Sequence, residues 1–499
     1  MTIYEMFLKT AKRYPDNTFL ISNAERISYS EINNKVLSFG NYLHEYGIKK
    51  GDRVCFILEN SVDYIVCFFS VMMLGGIAIP IDPRTQNEIK TFVNDSESKM
   101  IIAESNRRAF LYENIHDMPS IQSVLIRYTN EEEKDADKQN IFSSLKKALS
   151  FKKDVQYDEM KIVDEDLAFY IYTSGTVKNP KGVMLTHQCL TFNVNELNGV
   201  LKANVDDIFF NVLPFYHCYG ICTNLLLPAS IGASVVLHSG YSLSDIRNGI
   251  IKYNATVLSC VPLMFEKMQK VIDDDMKKKV KKYISSGASL PFDLVKQYKE
   301  KFDIDIINAY GSSETNTIAV NSNCYNSKPG SVGILLPSLQ AKIVNGNGDI
   351  VENGIEGEIV LKTPKLMLGY HNMKSETERV LRDGWYYTGD LGYITNDREL
   401  FITGRKKAMF NVAGKKVFKE DVESTLLSSG YFSEVYVYAK EDYLRGEKII
   451  AKVILKVKGI TEEQILKYCR EHMGPHKIPK EIVFCNEIKK VTWKEDITC

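Results

Sequence analysis

Helical periodicity alternates with short apolar runs through roughly the first four hundred residues. Arg53-Val-Cys-Phe-Ile-Leu58 reads as a buried strand, Val62 to Leu74 as a buried helix, and Ile77 to Ile79 as the next strand. Met100 to Ala103 and Ser123 to Ile126 predict two more strands. Such alternation argues for parallel sheets covered by helices, an α/β fold. Tyr64 to Ile81 carries no charge, but Gly75-Gly76 and Pro80 divide it, and Asp63 and Asp82 bound it. A buried helix followed by a strand is expected there, with no membrane span. Asn130 to Asp154, with Glu131-Glu132-Glu133 set against several lysines, reads as a solvated excursion, and Asp273 to Lys279 as a solvated helix face.

From Gln340 the pattern turns to β: Ala341 to Val344, a turn at Asn345-Gly-Asn-Gly348, then Glu358 to Leu361. Asn-Gly between apolar runs predicts a hairpin in a smaller β-rich subdomain. Beyond Gly404-Arg405 a short α+β region is predicted. It has a helix from about Glu420, strands Glu434 to Tyr438 and Ile449 to Val457, and a helix Glu462 to Glu471. These readings divide the chain into a domain at 1–404 and a small mobile one at 405–499.

A length of 499 residues is too great for one core. The 63 basic residues balance 63 acidic ones, so no overall field attracts nucleic acid or an anionic membrane. The first residues lack an uninterrupted apolar run, so no secretory signal is expected and a cytoplasmic location is. Ten cysteines without paired short spacings indicate neither a zinc site nor a disulfide framework, and reduced, packed thiols are expected.

The segment richest in chemistry is Tyr172-Thr-Ser-Gly-Thr-Val-Lys-Asn-Pro-Lys-Gly-Val183. Backbone N–H groups freed by glycine, hydroxyl donors and a cation suit a polyphosphate. The order Lys181-Gly182 excludes a Walker A loop. On spacing alone, a phosphate loop and a polar surface turn both stay open.

This segment closely resembles the signature loop of the AMP-forming adenylate synthetases, a superfamily of acyl-CoA synthetases, luciferases and peptide-synthetase adenylation domains. Leu213-Pro-Phe-Tyr-His217 with Gly220 resembles the family's substrate-side histidine motif, and Ser285-Ser-Gly-Ala-Ser-Leu290 its adenine-pocket turn. Asn308-Ala-Tyr-Gly-Ser-Ser-Glu314 is similar to the tyrosine–glycine motif that ends in a metal-site glutamate. Gly384-Trp-Tyr-Tyr-Thr-Gly-Asp390 and Gly404-Arg405 resemble the two ribose-contacting motifs. The segments follow the family's order over nearly the whole chain.

The resemblance implies a large N-terminal region of two α/β subdomains plus a small β subdomain, joined to a small mobile α+β C-terminal domain. It also implies ATP and Mg²⁺, a carboxylic acid substrate, and a thiol acceptor, either CoA or phosphopantetheine. Carried over residue by residue, Thr173, Ser174, Gly175, Thr176 and Lys181 would hold phosphates, and Glu314 the Mg²⁺. Asp390 and Arg405 would take the ribose. Asn308, Tyr310, Gly287, Ala288 and Ser289 would frame the adenine, with Gly311, Ser312 and Ser313 in the same nucleotide set. His217 would stand beside the substrate carboxylate, with Gly287 and Gly311 on the acid's pocket. Lys407 takes the hinge position, Gly414 the thiol tunnel, and Lys415 and Lys416 face the phosphate of the thiol arm.

The sequence departs from the family in two places. The C-terminal tail reads Glu487-Ile-Lys-Lys-Val-Thr-Trp-Lys494, with Trp493 where the family has glycine. Lys494 is the candidate catalytic lysine, with Lys489 and Lys490 as alternatives. At the hinge, Ala408 replaces the usual acid.

The leading expectation is an acyl-CoA synthetase acting on a fatty or otherwise hydrophobic acid. Phe215-Tyr216-His217 is typical of that branch, and no aspartate between Leu213 and Cys222 is present to hold an α-amino group. Loading an acyl carrier protein with an acyl or aryl acid is the second reading. A weakly catalytic sensor of acyl or adenine nucleotides is the third. A monomer or homodimer without nucleic-acid or membrane partners is expected.

Overall fold

A computed structural model describes residues 1–85, 88–128, 141–152, 161–176, 179–238, 242–405, 409–442, 446–457 and 459–485. Strands Arg53–Ile57, Ile77–Pro80, Met100–Glu104 and Ser123–Arg127 lie parallel in one eight-stranded sheet, as their apolar runs predict. The uncharged helix Val62–Met73 is buried along nearly its whole length and is capped by Ser61, whose hydroxyl accepts the Tyr64 N–H. Among the described residues no helix is long and apolar enough to cross a membrane. The solvated excursion expected at 130–154 is corrected over 141–152. Phe142–Ser144 adds a parallel edge strand, and Phe142, Leu145 and Ala148 are buried. Flanking charge masks an apolar spacing that the sheet edge uses; 129–140 and 153–160 lie outside the described residues.

A second sheet of fourteen strands carries a parallel centre: Thr18–Ser22, Ser234–Leu237, Ile208–Asn211, Val257–Cys260, Lys282–Ser285 and Ile306–Ser312. It continues antiparallel through Asn316–Asn321, Ser331–Leu335, Glu399–Arg405, Trp385–Ile394, Gly357–Lys362 and Gln340–Val344. The β-rich segment is thus hydrogen-bonded into the large sheet. Gln340–Val344 does pair with Gly357–Lys362, but the Asn345–Gly348 turn returns the chain only to a single bridge at Ile350. The expected tight hairpin is therefore a wider connection. Side chains from both sheets and the helices Tyr29–Glu45, Val62–Met73 and His187–Leu201 share one core.

The third sheet holds Met409–Val412, Lys415–Phe418, Phe432–Asp442, Gly446–Leu455 and Glu481–Phe484. Helices Lys419–Ser428 and Glu462–His472 cover it, and Phe410, Val417, Leu426, Val437, Ile449 and Ile465 form a core of its own. This is the α+β unit read from sequence, with longer strands. Eight described cysteines are free, seven of them buried, in keeping with packed thiols.

Candidate active site

The signature segment folds as two antiparallel strands, Leu167–Thr176 and Asn179–Thr186, with Thr173 opposite Lys181 and Thr176 opposite Asn179. The loop expected after Ile171 is therefore drawn out along the sheet. Thr173, Ser174, Gly175 and Thr176 lie on this backbone; their side chains are outside the described residues. Lys181 Nζ is 2.7 Å from Glu376 Oε2 and sits over the Tyr370 ring.

Beside this hairpin, at the C-terminal ends of the parallel strands, lies a cavity of about 710 Å³. Open α/β sheets place their sites at that end. Tyr216, His217, Gly220, Gly287, Gly311, Ser312 and Ser313 line it, together with Asp82 and Arg84. Asp82 accepts two hydrogen bonds from the Arg84 guanidinium, at 2.9 and 2.7 Å, and one from the Arg84 N–H at 3.0 Å, and Arg84 also donates to the Tyr216 hydroxyl at 2.7 Å. Those bonds outweigh burial and hold the Asp82 carboxyl down at about 2. His217 opens to the cavity but is enclosed by protein. Desolvation, with Lys415 adding repulsion, lowers its pKa to about 4, so a neutral imidazole faces the cavity at pH 7.

The turn from Ile306–Ser312 into Asn316–Asn321 is tight. A Cβ on Gly311 would lie 2.2 Å from the Asn316 carbonyl oxygen, so only glycine fits. Glu314, on that turn, is buried, and its Oε1 accepts the Tyr370 hydroxyl at 2.9 Å. Asn308 pairs with Ser285 across adjacent parallel strands, which brings the Ser285–Leu290 turn next to Tyr310. The Tyr310 hydroxyl donates to Asp390 Oδ2, and Asp390 stands opposite Arg405 in the sheet. The structure thus gathers Gly287, Asn308, Tyr310, Glu314 and Asp390 on neighbouring strands, and places the Arg405 backbone with them. Ala288 and Ser289 follow in the same turn, against Ala413.

The small domain closes one side. Gly414 has φ +79°, and a Cβ there would lie 3.3 Å from the Gly287 carbonyl oxygen. Lys415 Nζ is 3.6 Å from Asp82 Oδ2, and burial lowers its pKa. His476 and Lys477 complete this wall, and burial lowers the His476 pKa to about 3. Lys407, Ala408, Lys489, Lys490, Trp493 and Lys494 lie outside the described residues, as does the Lys416 side chain.

Sequence reading missed Asp82, Arg84, His476, Tyr370 and Glu376. Asp82-Pro83-Arg84 carried a usable signal, since it directly follows an apolar run ending at the sheet's active edge. The other three carry none, because their partners come from distant segments.

A family model described as AMP-binding enzyme matches residues 7–371, and one for the AMP-binding enzyme C-terminal domain matches 421–492. A long-chain-fatty-acid–CoA ligase of Salmonella typhimurium is 27% identical, over 98% of this chain and 92% of the relative. A crotonobetaine/carnitine–CoA ligase of Proteus mirabilis is 29% identical, over 96% of this chain and 95% of the relative. An o-succinylbenzoate CoA synthetase from Bacillus subtilis, solved as a double mutant with a product analogue, shares the fold with a TM-score of 0.85. It is 23% identical, over 98% of this chain and 96% of that one. ATP-bound MatB from Rhodopseudomonas palustris gives a TM-score of 0.73 at 25% identity, over 99% and 96%. With both family models matched and the site built on the strands that carry their motifs, the chain belongs to the AMP-binding enzymes, in the acyl-CoA synthetase branch of the adenylate-forming superfamily.

Proposed function

We propose that the protein joins a largely apolar carboxylic acid to CoA in two steps at this cavity. In the first, a carboxylate oxygen attacks the α-phosphorus of ATP, and pyrophosphate leaves. In the second, the CoA sulfur attacks the acyl carbon, AMP leaves with the bonding pair, and the thiol proton passes to solvent or a base. The observation that carries this reading is the meeting of Gly414 with Gly287 beside His217. Two glycine backbones pass close together in the wall of a cavity lined by both domains, and neither puts a side chain in the path of a thin thiol arm. The relatives' names as CoA ligases favour CoA over a carrier protein. Leu197, Val212, Met264 and Ile284 supply the apolar lining.

Within this reading Thr173, Ser174, Gly175, Thr176 and Lys181 hold the phosphates. Asp390 and Arg405 hold the ribose, and Asn308, Tyr310, Gly287, Ala288 and Ser289 frame the base beside Gly311, Ser312 and Ser313. Neutral His217 orients the carboxylate. Among the described residues no group of three or more metal-ligating side chains comes together. Glu314, a buried carboxylate on the Gly311–Asn316 turn, would hold Mg²⁺, and the ion would neutralise phosphate charge. The domain division falls at 1–404 and 405–499, with Lys407 as hinge and Lys494 serving the first step only. Pyrophosphate release across an acid panel, with and without CoA, tests the activity. Lys494→Ala is expected to slow that release by about a hundredfold, while presynthesised acyl-adenylate still reacts with CoA near the parent rate. Equal loss in both steps removes the role given to Lys494.

A further inference from the structure

The cavity wall is not uniformly apolar. Asn316 stands on it, 5% exposed, with φ +56°. Left-handed backbone at a buried non-glycine residue is uncommon, though asparagine tolerates it best. Its carboxamide has two donor hydrogens and an oxygen able to accept twice. The contacts it makes are long: Nδ2 to the Lys365 carbonyl at 3.5 Å, and Oδ1 from the Cys222 thiol at 3.8 Å. Thr223 lines the same cavity, 2% exposed, and brings a hydroxyl to it. It sits in the π-helical turn Cys222–Leu226, a helical irregularity that re-aims side chains and recurs at functional sites. The partners of the Asn316 carboxamide are a backbone carbonyl and a thiol, neither of them charged. Lys365 is wholly buried behind Thr317, bonded to its carbonyl at 2.6 Å and to Glu196 at 2.7 Å, so the two ions neutralise each other.

A plain alkyl chain pushed against this wall would cover an amide and a hydroxyl without pairing either, which a buried polar group resists. An ionised group placed there would be met by an amide and a hydroxyl, neither of which supplies a counter-charge. We propose that the acid activated here carries, on an otherwise apolar chain, one uncharged hydrogen-bonding group — hydroxyl, keto or carboxamide — received by Asn316 and Thr223. This rests on the acid–CoA ligase reading and names its substrate class.

The test is ATP-dependent pyrophosphate release by the purified full-length chain. The acids are hexadecanoate, octanoate, and octanoates with hydroxyl, keto or carboxamide groups placed along the chain, beside ammonium and dicarboxylate analogues. An uncharged polar acid is expected to exceed octanoate and hexadecanoate in kcat/KM by about tenfold or more, because a site built to hydrogen-bond rejects the analogue lacking the group. Asn316→Gly keeps the left-handed turn, and is expected to cut that preference at least about fivefold, mainly through the KM of the polar acid. Thr223→Val is expected to cut it in the same direction. Preference for an unsubstituted or charged acid overturns the inference and leaves the ligase reading standing. So does an Asn316→Gly variant that loses activity equally toward polar and plain acids, which marks a purely structural asparagine. Pyrophosphate from no acid at all removes the ligase reading and the inference with it.

Discussion

The turn between Gly311 and Asn316 shows how much one bend decides. Gly311 has no room for a Cβ against the Asn316 carbonyl, so Gly311→Ala must open the turn that sets Glu314. We expect that variant to lose pyrophosphate release by about a hundredfold and about 1–3 kcal/mol of stability, read by urea titration. Glu314→Gln separates charge from shape. The glutamine oxygen still accepts the Tyr370 hydroxyl, so the melting temperature should hold while Mg²⁺-dependent release falls about a hundredfold. A variant with unchanged metal dependence would remove Glu314 as the ligand. Both residues were readable because a short motif fixes their local geometry. Lys365 and Glu196 were not, since nothing near either in sequence says that a lysine in a turn will sit at 0% exposure on an acid from the helix His187–Leu201.

Segments were readable to the extent that their partners are close in sequence. The parallel strands around Val62–Met73 follow from apolar runs and from glycines that end the helix. The strand at Phe142–Ser144 did not, because its partner Ser123–Arg127 lies across a charge-rich stretch of sequence. The cross-domain contact at Lys415 was equally hidden: the family resemblance implied a thiol-arm phosphate, whereas Nζ lies 3.6 Å from Asp82. A partly exposed ion pair at that distance contributes about 0.5–1 kcal/mol. Lys415→Ala is therefore expected to slow thioester formation from presynthesised acyl-adenylate by about threefold and leave pyrophosphate release nearly unchanged. Lys415→Arg, which keeps the charge, should stay close to the parent. Loss confined to pyrophosphate release would place Lys415 in the wrong step.

Taken whole, the described residues include four histidines whose folded state disfavours protonation: His187 and His217 at about 4, His476 at about 3, and His238, each lowered chiefly by burial. His187 is 0% exposed, its Nδ1 accepts the Ile3 N–H at 3.3 Å, and its Nε2 is buried without a partner among the described residues. Because the folded pKa lies below the ordinary 6.5, the unfolded chain binds the proton first as pH falls. Stability is complete above about 6.5 and declines until the folded form also titrates near 4. For His187 alone the loss between pH 7 and 5 is about 2 kcal/mol. Asp82, at about 2, acts in a lower window, below the ordinary carboxylate value. His217 and His476 line the wall where the two domains meet, so acid bears on the contact between domains as well as on the large core. Urea unfolding at intervals from pH 7.5 to 4.5 should show midpoints falling with pH. In His187→Asn the amide oxygen can still take the Ile3 N–H but no imidazole remains, so the curve should lose about that much of its slope. A variant whose curve keeps the parent's slope would show that His187 protonates as readily folded as unfolded, and would move the acid sensitivity to the domain contact.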